Sequence, residues 1–98
     1  MEKSKLETLQ KEIRKILLRD WDPIGIRDEE YAQDEYDLYI DHIISLLINV
    51  GTYEELLNFL EFVILERMEL PLSENLKCAN KLTVRNILKL APPPSVKQ

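Results

Sequence analysis

Residues 28–41 carry seven acids and no lysine or arginine, with Tyr31, Tyr36 and Tyr39 set among them. The acids are Asp28, Glu29, Glu30, Asp34, Glu35, Asp37 and Asp41. Two kinds of chemistry are open to such a stretch. Asp34, Asp37 and Asp41 fall at i, i+3 and i+7 on one side of a helix, where neighbouring carboxylates can share a divalent cation or divide the roles of acid and base. The same carboxylates beside tyrosines can instead dock a protein: charge attracts a basic partner at long range, and the tyrosines supply contact area at short range. The first use lacks its other parts. A dinuclear carboxylate bundle draws Glu-x-x-His pairs from its helices, this chain has one histidine, His42, and no EF-hand spacing occurs. Beside the plain alternative of a solvated acidic surface with no dedicated partner, docking is the favoured of the two uses. Its expected surface is Asp28, Glu29, Glu30, Tyr31, Asp34, Glu35, Asp37, Tyr39 and Asp41, and no catalytic residue, metal or cofactor is assigned.

The remaining reactive side chains add little. Cys78 is the single cysteine, so it forms no internal disulfide, and no adjacent base activates it; a semi-buried thiol is expected. His42 is expected at the edge of a helix's apolar stripe. Ser45 and Ser73 lack a nucleophile-elbow context, and no glycine-rich phosphate loop or zinc spacing is present.

The elements that must position these residues are helical. Only two glycines and five prolines punctuate the chain, and its 45% hydrophobic and 32% charged residues describe a globular protein. Helix 1 is expected over 4–20, with Ser4 and Glu7 as a capping box and Leu6, Leu9, Ile13, Ile16 and Leu17 as its stripe. The segment 19–27 is a joint: Pro23 removes an N–H and disfavours helix at Asp22, and Gly25 tolerates positive φ. Trp21 should point inward while Asp20 and Asp22 stay hydrated. Residues 28–33 read as a short helical turn or an ordered loop. Helix 2 is expected over 34–50, capped by Asp34, with Tyr36, Ile40, Ile43, Leu47 and Val50 as its stripe and Gly51 closing it. Helix 3 follows over 53–69, capped by Thr52, with Leu56, Leu57, Phe59, Leu60, Val63, Ile64 and Met68 inward. Helix 4 is expected over 74–90, capped by Ser73, with Leu76, Ala79, Leu82, Val84, Ile87, Leu88 and Leu90 inward and a break near 80–83 as an alternative. Residues 1–91 thus form one domain, and 92–98, with three consecutive prolines, an extended tail.

Net charge is −5 and unevenly spread. Residues 1–50 hold 12 acids and 7 bases, 51–72 hold 5 and 1, and 73–98 hold 1 and 5. Lys77, Lys81, Arg85 and Lys89 repeat every four residues, one basic stripe on helix 4. An acidic body disfavours nucleic acid and anionic membranes. The longest apolar run is the four residues 62–65, too short to span a bilayer, and no secretory signal is visible at the N-terminus, so a cytoplasmic location is expected.

The words Trp21-Asp22-Pro23-Ile24-Gly25 and Asp34-Glu35-Tyr36-Asp37, with Tyr39 and the leucine and isoleucine run closed by Gly51, carry a resemblance. Over residues 13 to 70 the chain resembles small uncharacterised bacterial helical proteins of the domain-of-unknown-function group numbered 1871. The resemblance implies a helical fold and brings no agreed activity. It marks Trp21, Asp22, Pro23, Gly25, Asp34, Glu35, Tyr36, Asp37 and Tyr39 as signature positions. This chain departs from the pattern at Ile26 and the charged loop after it, and helix 4 lies outside the likeness. The signature residues admit two uses. They can form a binding surface, or they can pack: Asp22 capping a turn, Gly25 reversing the chain, and Tyr36 laying its ring near Trp21 with its hydroxyl on water or a carboxylate.

The expected fold is all-α, an irregular or up-and-down bundle of four main helices. The expected role is a small acidic, non-enzymatic protein-binding domain, immunity-like or antitoxin-like, that masks a basic protein partner. The alternatives are a structural homodimer with no dedicated partner and, least favoured, a carboxylate-dependent metal-binding enzyme.

Overall fold

Leu9, Ile13, Ile16 and Leu17 recur one helical turn apart, and all four are buried. They belong to α1 (Lys3–Ile16), which runs directly into a wider π-helical turn, Leu17–Trp21. The structure, a computed structural model, describes residues 3–49 and 51–90. Helix α1 begins at Lys3, one residue ahead of the serine expected to cap it, so Ser4 is already inside the helix. The π turn closes with the Asp22 N–H on the Leu17 carbonyl at 2.8 Å and brings Leu17, Leu18 and Trp21 inward together. Asp22 then takes φ +37, in the left-handed region that asparagine and aspartate tolerate best among non-glycine residues. Pro23 disfavours right-handed helix at the residue before it, so the chain must leave the helix there.

Helix α2 (Asp37–Asn49) starts three residues later than expected, and Asp34 does not cap it. The approach is a 3₁₀ turn, Glu30–Ala32, followed by i→i+3 bonds from Glu35 N–H to Ala32, Asp37 N–H to Asp34 and Tyr39 N–H to Tyr36, all near 3.0 Å. These tighter turns leave the Tyr36 ring in the core, 1% exposed, beside Trp21. Ile40, Ile43, Ile44 and Leu47 are buried; Val50 lies outside the described residues. Gly51 has φ +71 and donates its N–H to the Leu46 carbonyl at 2.7 Å. A side chain there would be strained, and its Cβ would meet the Leu47 carbonyl oxygen at 3.3 Å.

The Thr52 Oγ1 accepts from Glu55 N–H at 3.2 Å and caps α3 (Tyr53–Phe62), which also ends in a π-helical turn, Val63–Arg67. That end comes two residues before the expected 69. Met68 N–H closes on Val63, and Glu69 turns left-handed at φ +55, so the exit precedes Pro71. Ser73 Oγ accepts from Leu76 N–H at 3.2 Å and caps α4 (Glu74–Leu90), which runs unbroken through 80–83. The inward face of α4 differs from the expected apolar set. Asn80, Thr83, Val84 and Ile87, at i, i+3, i+4 and i+7, are each 0% exposed, whereas Leu82 faces out. Cys78, expected as a semi-buried thiol, is exposed because it falls on the side of the helix away from this face. The tail 92–98 lies outside the described residues.

The fold is all-α, and among the described residues no strand occurs. Helix α1 packs on α2 and α4, and α3 packs on α2 and α4, a ring that sets α2 and α4 across the diagonal. Among the described residues no helix is long and apolar enough to cross a membrane.

Candidate functional site

The acidic segment is held by a hydrogen-bonded hub at Asp22. The left-handed turn at Asp22 folds the chain back through Gly25, at φ +68, so that residues four and five ahead meet the Asp22 carboxylate. Oδ1 accepts from the Ile26 N–H at 2.7 Å and from the Tyr36 hydroxyl at 2.9 Å; Oδ2 accepts from the Arg27 N–H and Nε, both at 3.1 Å. The Tyr36 hydroxyl in turn accepts from the Ile24 N–H at 3.3 Å. Trp21 lies against Tyr36 with ring centroids 5.2 Å apart, and its indole N–H donates to Asn80 Oδ1 at 2.7 Å. Trp21, Asp22 and Tyr36 are therefore joined to one another by ring contact and hydrogen bond, Gly25 serves the turn, and the segment that follows is tied to the bundle through them. The expectation that Asp20 and Asp22 stay hydrated is overturned. Their side chains are 9% and 3% exposed, because Arg19 and Asn86 bind the first and the returning backbone covers the second.

This hub sets a pH dependence. Burial alone would push the Asp22 carboxyl up, but the Ile26 N–H, the Tyr36 hydroxyl and Arg27 outweigh it and hold the group below the usual carboxylate range. Arg19 holds Asp20 down as well, against burial and with help from the Asn86 amide. Tyr36 moves the other way: burial raises it far above an ordinary tyrosine, and the Asp22 carboxylate adds to that against the Ile24 N–H. The two aspartates contribute stability that is present above the unfolded value of about 4 and lost as pH falls through their lower folded values. Tyr36 contributes stability that is complete below the unfolded value of about 10 and lost as pH rises through its folded value. Urea midpoints measured across pH should fall below about 4 and above about 10. Tyr36→Phe should blunt the alkaline fall and also shrink the acid one in part, because it removes one of the donors that hold Asp22 down; an unchanged alkaline limb would contradict the assignment.

Beyond the hub the segment is ordered but wet. The Gln33 amide donates to the carbonyls of Arg27 and Glu29 at 2.9 and 3.0 Å and draws the loop together. Asp28, Glu29, Glu30, Asp34 and Glu35 are exposed, and Tyr31 projects with 96% of its surface free. The other three residues of the expected surface are engaged with neighbouring helices. Asp37 forms a two-pronged ion pair with Arg14, and Asp41, though exposed, accepts from Gln10 at 3.3 Å. Tyr39 is half-buried, edge-on to both Trp21 and Phe59. Asp34, Asp37 and Asp41 thus do not converge on a cation: Asp37 and Asp41 each bond to a side chain of α1. Among the described residues no group of three or more His, Cys, Asp or Glu is placed to hold a metal.

The charge around this segment is one-sided. Residues 28–66, which include all of α2 and α3, hold eleven acids and no lysine or arginine. The basic stripe Lys77, Lys81, Arg85 and Lys89 is exposed on α4, across the diagonal from α2.

A groove that the sequence did not single out opens between α2 and α3, at the end of the bundle where the acidic segment enters α2. It has a volume of about 190 Å³ and is lined by Leu38, Tyr39, His42, Phe59 and Phe62, with Arg67 at its rim. His42 lies flat on Phe59, ring centroids 4.2 Å apart and planes 8° from parallel. The Arg67 guanidinium sits over the Phe62 ring at 5.9 Å. Leu38 is 69% exposed and Phe62 46%. Their only sequence signal was position: both lie off the buried stripe of their helices, where polar residues are usual.

Compared with models of known protein families, with curated proteins and with solved structures, the chain matches none. Function is therefore read from the geometry.

Proposed function

We propose that this is a non-enzymatic domain that binds a basic protein through the acidic face formed by residues 28–35 and the neighbouring ends of α2 and α3. One observation carries the reading: eleven acids and no lysine or arginine over residues 28–66, with the exposed acids Asp28, Glu29, Glu30, Asp34 and Glu35 around a fully projecting Tyr31. Such a field raises the encounter rate with cations and repels anionic surfaces, and a projecting tyrosine offers a large contact area at short range. A concrete version is an immunity-like or antitoxin-like protein that masks a basic partner. The signature words support this as a frame, since Trp21, Asp22 and Tyr36 fix the loop that displays the acids.

The test uses acids whose side chains make no hydrogen bond or ion pair among the described residues. Asp37 is a poor choice because its reversal would also place two cations together at Arg14, and Asp34, which lies in the field of the same arginine, is left unchanged. The immobilised chain is used to capture a partner, which is then purified and its association rate measured. Glu29→Lys, Glu30→Lys and Glu35→Lys combined should slow association at least about tenfold at low salt, and raising salt should slow the wild type similarly. A partner whose association ignores both changes would overturn the reading.

A further inference from the structure

Building on the cationic-partner reading, we propose that the groove between α2 and α3 seats one apolar side chain of that partner, presented by a cationic amphipathic segment. The size fits. A dry apolar cavity of roughly 150 Å³ takes up benzene, so the groove's volume of about 190 Å³ has room for one leucine- or phenylalanine-sized group. The surface fits. Leu38 and Phe62 stand exposed on either side of the stacked His42 and Phe59 rings, and an arriving side chain would cover apolar surface that already faces water. The surroundings select the rest of the segment. Glu55 lies four residues before Phe59 and seven before Phe62, so an acid shares the face of α3 that carries the groove, and the exposed end of the acidic loop, at Asp34 and Glu35, lies just ahead of Leu38 where α2 begins. Arg67 is the one cation in the lining, and it is stacked on Phe62. The partner's lysines and arginines are therefore directed away from Arg67, toward the acidic loop, which gives the segment an orientation.

A second copy could offer similar chemistry, since α4 bears Leu82, 46% exposed, near Lys81 and Arg85. That contact joins two different faces. It leaves a groove and an α4 free at each end, so it would run on into a ring or an open chain. A separate partner segment closes the complex at one to one.

The probe is a synthetic 18-residue peptide, helical by design, with lysines on one face and leucines at i, i+4 and i+7 on the other. It is titrated into the isotope-labelled full chain, with a control peptide in which the leucines are serines. The leucine peptide should shift the resonances of Leu38, His42, Phe59 and Phe62 at low salt. Leu38→Ser and Phe62→Ser, both at exposed positions, should each weaken it about tenfold, and the serine peptide should bind about tenfold more weakly, with its shifts confined to residues 28–35. Equal binding of the two peptides, with the groove residues unmoved, would overturn the groove while leaving the cationic-partner reading intact. Failure of both peptides to bind at low salt would overturn both. Growth of the chain's own mass with concentration, abolished by Phe62→Ser, would assign the groove to a second copy and overturn the proposed occupant.

Discussion

Asp22→Ala should lower the unfolding free energy by about 4 kcal/mol, a large part of the stability margin of a domain this size. The Asp22 carboxylate is 3% exposed and accepts four hydrogen bonds, from Ile26, Tyr36 and twice from Arg27. Truncation leaves the Ile26 N–H and the Tyr36 hydroxyl without their acceptor, and each orphaned group in a partly buried site costs about 1–3 kcal/mol. A second contribution comes from the backbone. Asp22 sits at φ +37, and alanine tolerates that region less well than aspartate, by roughly 1 kcal/mol. Asp22→Asn separates the two effects. Asparagine suits the backbone and keeps one acceptor oxygen, so it should lose about half as much as alanine. Urea unfolding followed by far-ultraviolet dichroism reads both variants. A loss below 1 kcal/mol for alanine would mean that the turn is held elsewhere, and the loop carrying the acids would lose its anchor in this account.

The second large effect lies at the Trp21–Asn80 pair. The indole N–H donates to Asn80 Oδ1 at 2.7 Å across a separation of 59 residues, with Trp21 2% and Asn80 0% exposed. Among the described residues the Asn80 Nδ2 and the Thr83 Oγ1 have no hydrogen-bond partner. Asn80→Ala should cost about 2–3 kcal/mol, from a lost buried bond and a small cavity, and Trp21→Phe a comparable amount. The double variant should recover about 1–2 kcal/mol relative to the sum, because each single change strands the other's polar group. Trp21 is the only tryptophan, so its fluorescence follows the Asn80 variants directly. Additive losses would show that the bond contributes nothing beyond packing.

Both predictions concern the frame, and the frame decides what the acidic surface can do. The hub orders residues 28–36 before any partner arrives. A pre-ordered acidic loop loses less entropy on binding than a free one, which favours affinity for the same contacts. The pair formed by Arg14 and Asp37 contributes less: both side chains are partly exposed, and pairs of that kind are worth about 0–1 kcal/mol. Its role is to align α1 with the start of α2.

The helices were legible in the sequence because their information is local. The threonine at 52 and the serine at 73 announce their helix starts, Pro23, Gly25 and Gly51 announce the joints, and one-turn spacing places Ile13, Ile43, Leu60 and Ile87 in the core. The acidic character of 28–41 is likewise composition, readable without a fold. The Tyr36 ring beside Trp21 with its hydroxyl on a carboxylate was open to the sequence as one of two uses; most other features made by residues far apart in the chain lay beyond reach. Asn80 and Thr83 look like surface residues until a tryptophan 59 positions earlier meets the first of them. Asp20 and Asp22 look hydrated until Asn86 and a returning loop cover them. The groove exists only because α2 and α3 lie side by side, which puts His42 on Phe59. Local spacing sets which residues turn inward along each helix; only tertiary packing decides which polar groups find partners there and which apolar ones are left facing water.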